Sequence, residues 1–327
     1  MIVRCVLACT PTAGVVGFSS YNLITLSNLS TSSDVENRTL ICGSLVSSSA
    51  ANFGTQIGSN SSSATSYSLE LNGQIASGNP IQVNAGSFGV GTNPMHTIVA
   101  SGSVSYTLDG RKVNMNGGNH GSTINVNANL TTKCTTLTND LRTLFSSLAS
   151  LADTPGNNVT IPSSSSDPLN IYVNNVNSNG IAVFNLVGNT VLNNPSVQQI
   201  ELFVASTVVS LLQLVVINLS GTSISFAQGN LVGTWFNSIS TGRARTVWNL
   251  PQATSLNIAR NWMGALLAPF AVVTTSMDID GAVAVLSLTT TAAVHNPPII
   301  LPACIVNNIA NTPGKRNHSN FGSLSYK

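Results

Sequence analysis

Residues 247–298 constrain the fold most, because their apolar residues fall into segments that are too short for helices. Each segment ends at Gly, Pro, Asn or an acidic turn, and the next begins a few residues later. Short strands at a steady spacing, with small residues at the corners, indicate a chain that winds in successive turns rather than long hairpins. The apolar segments are Leu256–Ile258, Ala265–Ala268, Ala271–Val273, Met277–Ile279 and Ala282–Val285.

Two strand patterns in the first half of the chain end at dipeptides that favour tight turns. Apolar residues alternate over Tyr67–Leu71 before Asn72-Gly73, and over Val104–Leu108 before Asp109-Gly110. These dipeptides either reverse a strand in a hairpin or mark a corner between two faces of a solenoid. Their regular recurrence favours the solenoid.

One segment follows the helical period instead. Its apolar residues recur at alternating steps of three and four from Cys134 to Leu151, and Pro155-Gly156 ends the pattern. We predict an amphipathic helix at about 133–152 that flanks the strands. The predicted fold is all-β, a right-handed β-solenoid with one flanking amphipathic α-helix, and the main alternative is a β-sandwich.

The chain is long enough for one large β domain. We predict an N-terminal segment over 1–20, a single solenoid domain over 21–300 and a polar C-terminal tail over 301–327. The apolar run in the first ten residues is shorter than that of a signal peptide, which indicates a truncated signal remnant or a wrong start. Phe203–Ile217 falls short of the roughly 20 residues of a membrane helix. We expect two buried strands there and no membrane span.

The composition excludes disorder and nucleic-acid binding. Only 7% of the residues are charged, whereas 43% are hydrophobic, and disorder requires the reverse balance. The formal net charge of +2 is too small for a protein that must neutralise many phosphates. A surface rich in Ser, Thr and Asn suits polyols, glycans, ice or other copies of the chain.

Sequons and cysteines favour a secretory-pathway protein. The five cysteines match no zinc-binding spacing, and we expect one disulfide that involves Cys42 or Cys304. Several sequons would arise by chance in a chain so rich in Asn, Ser and Thr, but the set fits secretion. The glycosylation candidates are Asn28, Asn37, Asn60, Asn129, Asn158, Asn218 and Asn317.

Residues for catalysis are few. Asp278 and Asp280 lie two residues apart, so on a strand they share one face at about 7 Å, a spacing that suits inverting glycoside hydrolysis or Ca²⁺ binding. Because Asp280 is followed by Gly281, we favour a structural role at a turn. None of the four histidines lies in a catalytic or metal-binding motif. The sequence therefore predicts no enzyme, no cofactor and no metal site.

Aromatic residues are the better indication of a binding site, since exposed rings stack on pyranose faces. The candidates for carbohydrate binding are Trp235, Phe236, Trp248 and Trp262, all in the last hundred residues. Trp235 and Trp262 have polar or charged neighbours, so we expect these two rings to be exposed on one face.

Several motifs occur in a consistent order. Tyr21–Leu23 and the run Ser33–Arg38 stand near the start, and Trp248–Thr254, Gly264–Pro269 and His295–Pro297 follow in the last third. These motifs resemble S-D-V-E-G-R, W-N-F-P-x-A-T, G-S-I-L-A-P and H-N-Y-P of the choice-of-anchor A domain, a family of secreted surface and wall proteins. One difference is an Asn at position 37, where that family usually has Gly. The resemblance implies a β-helical, adhesive extracellular module, and amoebal cyst-wall members of that family are lectins for cellulose and chitin.

The sequence leads to one main functional hypothesis and two alternatives. The main hypothesis is a non-enzymatic extracellular protein of a cell wall or surface matrix that binds a cellulose- or chitin-like β-glucan and mediates adhesion. The first alternative is a structural surface protein that self-associates through exposed strand edges or coil ends. The second is an ice-binding protein with a flat, Thr/Ser-rich face that includes Thr274-Thr275 and Thr289–Thr291, although regular T-x-T steps are missing.

Overall fold

The structure of the 327-residue chain is a computed structural model that describes residues 13–57, 67–116, 123–164, 167–302 and 305. The described residues are mostly β, with few helices. The helices are α1 (Ala13–Ser20), α2 (Leu130–Ala149), α3 (Gly188–Leu192) and α4 (Gly233–Asn237), and Arg243–Arg245 form a 3₁₀ turn.

The strands form three sheets. The largest contains 13 strands: β1 (Leu23–Thr25), β2 (Leu29–Thr31), β4 (Thr39–Ile41), β6 (Tyr67–Leu71), β8 (Ser87–Val90), β12 (Ile124–Val126), β15 (Ile181–Val187), β17 (Leu214–Ser220), β18 (Ser223–Phe226), β20 (Thr246–Asn249), β21 (Ser255–Ile258), β23 (Ala265–Thr275) and β25 (Val283–Thr290). The second contains nine: β3 (Asp34–Val35), β5 (Ala51–Phe53), β7 (Ile81–Val83), β9 (Ile98–Ala100), β10 (Ser105–Leu108), β11 (Arg111–Met115), β22 (Trp262–Met263), β24 (Ile279–Asp280) and β26 (Val294–His295). The third contains four: β13 (Asn158–Thr160), β14 (Leu169–Val173), β16 (Gln199–Val204) and β19 (Asn230–Val232).

Parallel pairing shows that the chain winds in solenoid-like turns. After β1, the chain forms β2 and β3 and then returns as β4, which lies parallel to β1 with Leu23 opposite Thr39. The same circuit recurs where β20, β21 and β22 are followed by β23 beside β20. Parallel neighbours require a crossover rather than a tight hairpin. The right-handedness of the coil and its closure stay predictions.

The chain does not wind in one direction throughout. Along the largest sheet the strand order is β12-β8-β6-β4-β1-β25-β23-β20-β17-β15. The first half thus winds outward from β1 to β12, and the second half starts at β15 and winds back until β25 pairs with β1. Strands from opposite ends of the chain therefore meet in the middle of the stack.

Helix α2 connects these halves along the outside of the largest sheet. Its Lys133 binds Glu70 of β6, and its Leu148 carbonyl accepts a hydrogen bond from Asn218 of β17. Twenty residues of helix span about 30 Å, and the six strand spacings from β6 to β17 also cover about 29 Å. The helix length therefore matches the stack that it crosses.

The sequence prediction of this helix is confirmed, but its limits differ. The helix occupies Leu130–Ala149 rather than about 133–152, and the Ser150 N–H closes its last turn on Ser146. The apolar stripe packs against outward side chains of the largest sheet. Its buried members are Leu130, Cys134, Leu137, Leu141, Leu144, Phe145 and Leu148.

An asparagine ladder covers the end of α2. The Asn249 amide donates to the Asn218 carboxamide oxygen at 2.8 Å, and Asn218 donates to that of Asn185 at 2.9 Å. Asn218 also donates to the Leu148 carbonyl, and Asn249 to the Phe145 carbonyl. The ladder thus supplies hydrogen bonds to helix carbonyls near the C-terminal end of α2, where intrahelical donors run out.

A disulfide joins the helix to the first half of the coil. Cys42, which follows β4, is bonded to Cys134 of α2 across a sequence separation of 92 residues. The expectation of a disulfide that involves Cys42 is therefore confirmed, with Cys134 as its partner. Cys304 lies outside the described residues.

The apolar run Phe203–Ile217 forms the end of β16, a loop over 205–213 and the start of β17. The expectation of two buried strands is therefore met only at Leu214–Ile217, because Phe203, Val209 and Leu211 are exposed. Within the described ranges, no helix is both long enough and apolar enough to span a bilayer. The predicted domain boundaries at residues 20 and 300 stay predictions. Helix α1 packs against α2, and its Phe18 is fully buried.

Candidate functional site

The predicted aromatic surface does not exist in this structure. Trp262, Trp248 and Phe236 are each 0% exposed, and Trp262 packs edge-to-face on Trp248 with ring centroids 5.5 Å apart. Phe236 stacks on Trp248 at 6.1 Å. Trp235 is half-buried, and its indole N–H donates to Thr246 at 2.9 Å. The expectation that Trp235 and Trp262 are exposed on one face is wrong, and these rings serve the core.

The error has a physical origin in strand alternation. Arg260 and Asn261 lie at a corner, where both polar side chains reach solvent. The next residue begins β22 and points inward, so Trp262 lies in register with Ile279 and Val294 in the interior. Polar neighbours of a tryptophan therefore do not predict exposure where each strand has only two or three residues.

The acidic residues Asp278 and Asp280 belong to a structural cluster. Asp280 pairs with Arg243 at 3.4 Å, and Asp278 accepts the Ala293 N–H at 3.0 Å. His295 Nδ1 lies 2.9 Å from Glu36, and its Nε2 lies 3.8 Å from Asp278. Because Glu36 follows β3 while His295 ends β26, this cluster connects the opening and closing turns of the coil.

Electrostatics of this cluster favour the ion pair over catalysis. Burial raises the pKa of Asp280, and the charge of Arg243 opposes that shift. Burial alone would lower the pKa of His295, but Glu36, through a hydrogen bond and its charge, and the charges of Asp280 and Asp278 raise it. Among the described residues, no group of His, Cys, Asp and Glu is placed to hold a metal ion. The geometry supports a structural role for these groups.

A cavity of about 770 Å³ lies between α1 and α2. Its polar lining includes Tyr21, Arg38 and Lys133. Tyr21 donates to the buried carboxylate of Glu70, which also binds Lys133 at 2.6 Å. Burial, together with the charge and hydrogen bond of Glu70, raises the pKa of Tyr21. The carboxylate is thus already paired, and we assign this network to helix docking.

The strongest candidate for a binding surface is a second stack of strands within the largest sheet. β18, β21, the second halves of β23 and β25, and β2 stack in parallel register. Single bridges from Leu29 to Leu45 and from Leu45 to Ile75 extend the stack by two turns. We call the outer side of this stack the Ser/Thr face.

Two parallel rows of side chains make up the Ser/Thr face. Apolar residues between the rows point into the core, and the rows themselves are exposed or half-buried. The first row is Ser223, Ser255, Val272, Ser287, Asn28, Ser44 and Gln74. The second row is Ser225, Asn257, Thr274, Thr289, Ser30, Val46 and Ala76.

Neighbouring turns are hydrogen-bonded across this face. Ser255 donates to Ser223 at 3.0 Å, and Thr274 donates to Asn257 at 3.2 Å. Farther along, the Asn28 carboxamide oxygen accepts the Ser44 N–H at 2.9 Å. These contacts restrict side-chain rotamers before any ligand binds, so the face is preorganised.

The threonines that the sequence singled out divide between two roles. Thr274 and Thr289 are exposed and adjacent on the Ser/Thr face, as the alternative hypothesis requires. Thr275 and Thr290 are buried at the strand ends, where each hydroxyl bonds to the turn that follows.

Sequence reasoning missed most members of the Ser/Thr face. The available signal was a pair of small polar residues around one apolar residue, as in Ser223–Ser225, Ser255–Asn257, Ser287–Thr289 and Asn28–Ser30. These triplets recur at uneven intervals and in both halves of the chain. The triplets align with one another only because the second half of the chain winds back after α2, and the sequence pattern does not reveal this change of direction.

The structure also places five of the seven sequons. Asn28, Asn129 and Asn158 are exposed, and Asn37 is half-buried. Asn218 is only 4% exposed, and its amide belongs to the asparagine ladder, so a glycan there is incompatible with this structure. Asn60 and Asn317 lie outside the described residues. Use of the other sequons stays a prediction.

Comparison with protein families gives one match over most of the chain. Residues 15–296 match the family described as "Putative Ice-binding-like adhesive domain". This is an adhesive family, as the motifs imply, but the specific resemblance to the choice-of-anchor A domain is not confirmed. No curated protein matches the chain in sequence.

Several solved structures are similar over nearly their whole length. An ice-binding protein of the Antarctic ascomycete Antarctomyces psychrotrophicus is 11% identical, with a TM-score of 0.39 over 90% of this chain and 99% of that one. A glycosylated ice-binding protein (LeIBP) from an Arctic yeast is 10% identical, with a TM-score of 0.36 over 90% and 96%. The DUF3494 domain of Shewanella frigidimarina ice-binding protein_1 is 12% identical, with a TM-score of 0.36 over 88% and 97%.

Proposed function

The chain belongs to the family of ice-binding-like adhesive domains, and from this premise we propose that it is a non-enzymatic extracellular adhesion domain that binds ice through its Ser/Thr face. The observation that carries the proposal is the regular, preorganised array of small uncharged side chains on that face. We further propose that the three sheets close into a right-handed coil, the usual hand of parallel crossover connections.

The spacing of the array suits a crystalline ligand. Parallel strands lie about 4.8 Å apart, and successive outward residues on one strand lie about 6.6 Å apart. The Ser/Thr face therefore presents a two-dimensional lattice with repeats of the same order as those of ice planes. A single soluble ligand does not require such repetition, whereas a crystal surface exploits every row.

The chemistry of the array favours ordered water. The rows combine hydroxyls and amides with the exposed methyl groups of Val272, Thr274 and Thr289, and neither row contains a charged residue. A charged side chain would hold its own hydration shell and oppose the ice lattice. β-Branched side chains lose little rotamer freedom on binding because they are already restricted.

The cellular location is inferred from two features. A disulfide between Cys42 and Cys134 persists in oxidising compartments such as the cell exterior. Sequons at exposed positions agree with passage through a secretory pathway. Polysaccharide binding was the main sequence hypothesis, but its aromatic site is buried, so we do not retain it as the main function.

Ice affinity tests the proposal directly. We expect the folded protein to shape growing ice crystals, to inhibit ice recrystallisation and to partition into a slowly growing ice hemisphere. Thr274→Tyr and Thr289→Tyr each place a large ring in the middle of the Ser/Thr face, and each should reduce ice partitioning at least tenfold. Thr135→Tyr, at an exposed position on α2, is the matched control and should retain it.

Circular dichroism of each variant separates loss of binding from loss of fold. Folded wild-type protein that stays in the liquid and leaves ice crystals unshaped would refute ice binding. Retention of the same protein on microcrystalline cellulose or chitin would then restore the polysaccharide hypothesis at a different surface.

A further inference from the structure

The exposed and half-buried sequons differ in how free their asparagines are. Asn28 lies on the Ser/Thr face, and its side-chain oxygen is held by Ser44. Asn37 is half-buried in a left-handed backbone conformation, and Asn129 stands next to the first residue of α2. Asn158 combines high exposure with a strand geometry that directs both sequon side chains outward.

Strand β13 produces this geometry. It is the terminal strand of the third sheet, and its residues alternate so that Val159 packs against the core while Asn158 and Thr160 are exposed. No side-chain hydrogen bond connects Asn158 to the described part of the chain. Its amide nitrogen and the Thr160 hydroxyl are therefore both available on one surface.

An aromatic pair lies directly beside Asn158. The antiparallel register of β13 and β14 places Tyr172 opposite Asn158, and side chains of directly opposed residues touch on the same face. Tyr172 in turn stacks on Phe203 of β16, with ring centroids 5.4 Å apart and planes inclined by 19°. Phe203 remains 44% exposed. Tyr172 itself is half-buried, so the stack offers water one partly exposed and one exposed ring, whereas most other large rings in the described residues are buried.

We propose that Asn158 is an N-glycosylation site whose first N-acetylhexosamine packs against the ring of Tyr172 in the Tyr172–Phe203 stack. In the transfer, the Asn158 amide nitrogen forms a bond to C1 of a lipid-linked oligosaccharide. The bond from C1 to the lipid diphosphate oxygen breaks, and the amide proton leaves with the lipid diphosphate. The apolar face of the sugar then covers aromatic area that is otherwise exposed to water.

This site is compatible with binding through the Ser/Thr face but does not depend on it. The third sheet carries Asn158, whereas the Ser/Thr face lies on the largest sheet. A glycan at Asn158 therefore leaves the two rows free. A glycan at Asn28 would stand within the first row between Ser287 and Ser44.

Secretion from a yeast host tests the modification. Glycopeptide mass spectrometry of the folded wild type should find Asn158 modified in most molecules. Asn158→Gln and Thr160→Ala should each lose the glycan at this position. Folded, secreted wild-type protein with Asn158 unmodified would overturn the proposal.

The stacking contact is tested separately on protein trimmed to one sugar. Trimmed wild type should melt about 1–3 °C above Asn158→Gln, the shift expected for one sugar–aromatic contact in a domain of this size. Tyr172→Phe keeps the ring and should preserve the difference, whereas Tyr172→Ala should abolish it. Nuclear magnetic resonance should show sugar protons shifted upfield by the ring in wild type and Tyr172→Phe. Equal melting shifts and equal proton shifts in Tyr172→Ala would refute the stacking.

Discussion

At the scale of single residues, Arg111 is the clearest case of a charge that the fold requires. Its side chain is buried, with 1% exposure. The guanidinium donates to the carbonyls of Ser47 at 2.7 Å, Asn79 at 2.9 Å and Ala76 at 3.2 Å, and it also binds the Ser49 carbonyl. One side chain therefore closes two successive turns near the end of the stack.

Arg111→Met should lower the free energy of unfolding by about 3 kcal/mol, because four partly buried backbone carbonyls lose a charged donor. Urea denaturation measures the change. Lys112→Met is the control, since Lys112 is the next residue and points to solvent. Equal stability of the two variants would show that water replaces the guanidinium without cost.

A second residue-scale effect concerns pH. His295 has a raised pKa, through Glu36 and then the charges of Asp280 and Asp278. A raised histidine pKa stabilises the fold at low pH and loses that contribution as pH rises through the folded value, so the loss begins above about 6.5. Burial also raises the pKa of Asp280, against the charge of Arg243; this gives the same sign of pH dependence, but its loss begins above about 3.8 and is separate from the histidine effect.

Thermal unfolding across pH 5.5–8.5 checks this prediction. Wild-type stability should fall as the pH rises above about 6.5, and His295→Gln should show a flatter profile. Glu36→Gln should also flatten it, because it removes the partner that raises the histidine pKa. A wild-type profile that rises with pH would contradict the assignment.

The backbone conformation at single residues such as Asn37 and Gly281 is easier to relate to the sequence than the burial of a side chain. Asn37 has a φ of 58°, which lies in the left-handed region that suits Gly and tolerates Asn. Gly281, at φ 154°, has no room for a Cβ, which would lie 2.4 Å from the Gly264 carbonyl oxygen of the neighbouring turn. The burial of Trp262, in contrast, depends on a strand only two residues long, which the sequence pattern does not reveal.

At the scale of elements, the helix was predictable and the turns were not. The three–four spacing of apolar residues identified α2 because a 20-residue helix repeats its pattern many times. Asn72-Gly73 and Asp109-Gly110 looked equivalent. The first is a corner after which the chain continues in parallel register to Ile75, whereas the second reverses β10 into antiparallel β11. Such dipeptides specify a local backbone conformation but not the strand that follows.

The disulfide is the element-scale feature with the largest expected effect on stability. Cys42 and Cys134 close a loop with a separation of 92 residues, and the chain-entropy model gives a loop of that size about 4.6 kcal/mol. Cys42→Ala with Cys134→Ala should lower the unfolding free energy by this order in urea. Reducing agent should destabilise the wild type similarly and leave the double variant unchanged. A double variant as stable as the wild type would show that the buried apolar face of α2 holds the helix on the sheet without the disulfide.

At the scale of the whole molecule, the sequence predicted winding but not the order of the turns. Short strands and corner residues indicated a coil, and the strand pairing agrees. Nothing in the local pattern placed β25 beside β1, because that contact depends on α2 carrying the chain back across the stack. The Ser/Thr face could not be predicted for the same reason, because each of its rows combines residues from the first and the second half of the chain.

The order of the turns predicts where the fold is most stable. Residues near both ends of the described chain lie in the middle of the stack, where β1 pairs with β4 on one side and with β25 on the other. Strands β9 and β12 terminate the second and the largest sheet and have a single partner each. In a stack of turns, local unfolding starts at the ends.

Hydrogen exchange of the folded protein should therefore be slowest in β1 and β25 and fastest in β9 and β12, although β1 lies close to the chain terminus. Mass spectrometry with peptide resolution distinguishes these strands. Val283→Pro removes a β25 N–H that donates to Asn22 and should accelerate exchange in β1 as well as in β25. Gln82→Pro, in β7 of the first half, is the comparison and should accelerate exchange mainly in β7 and its neighbours β5 and β11. Faster exchange at β1 than at β12 in the wild type would contradict the proposed stack order, because protection would then follow distance from the terminus rather than position in the coil.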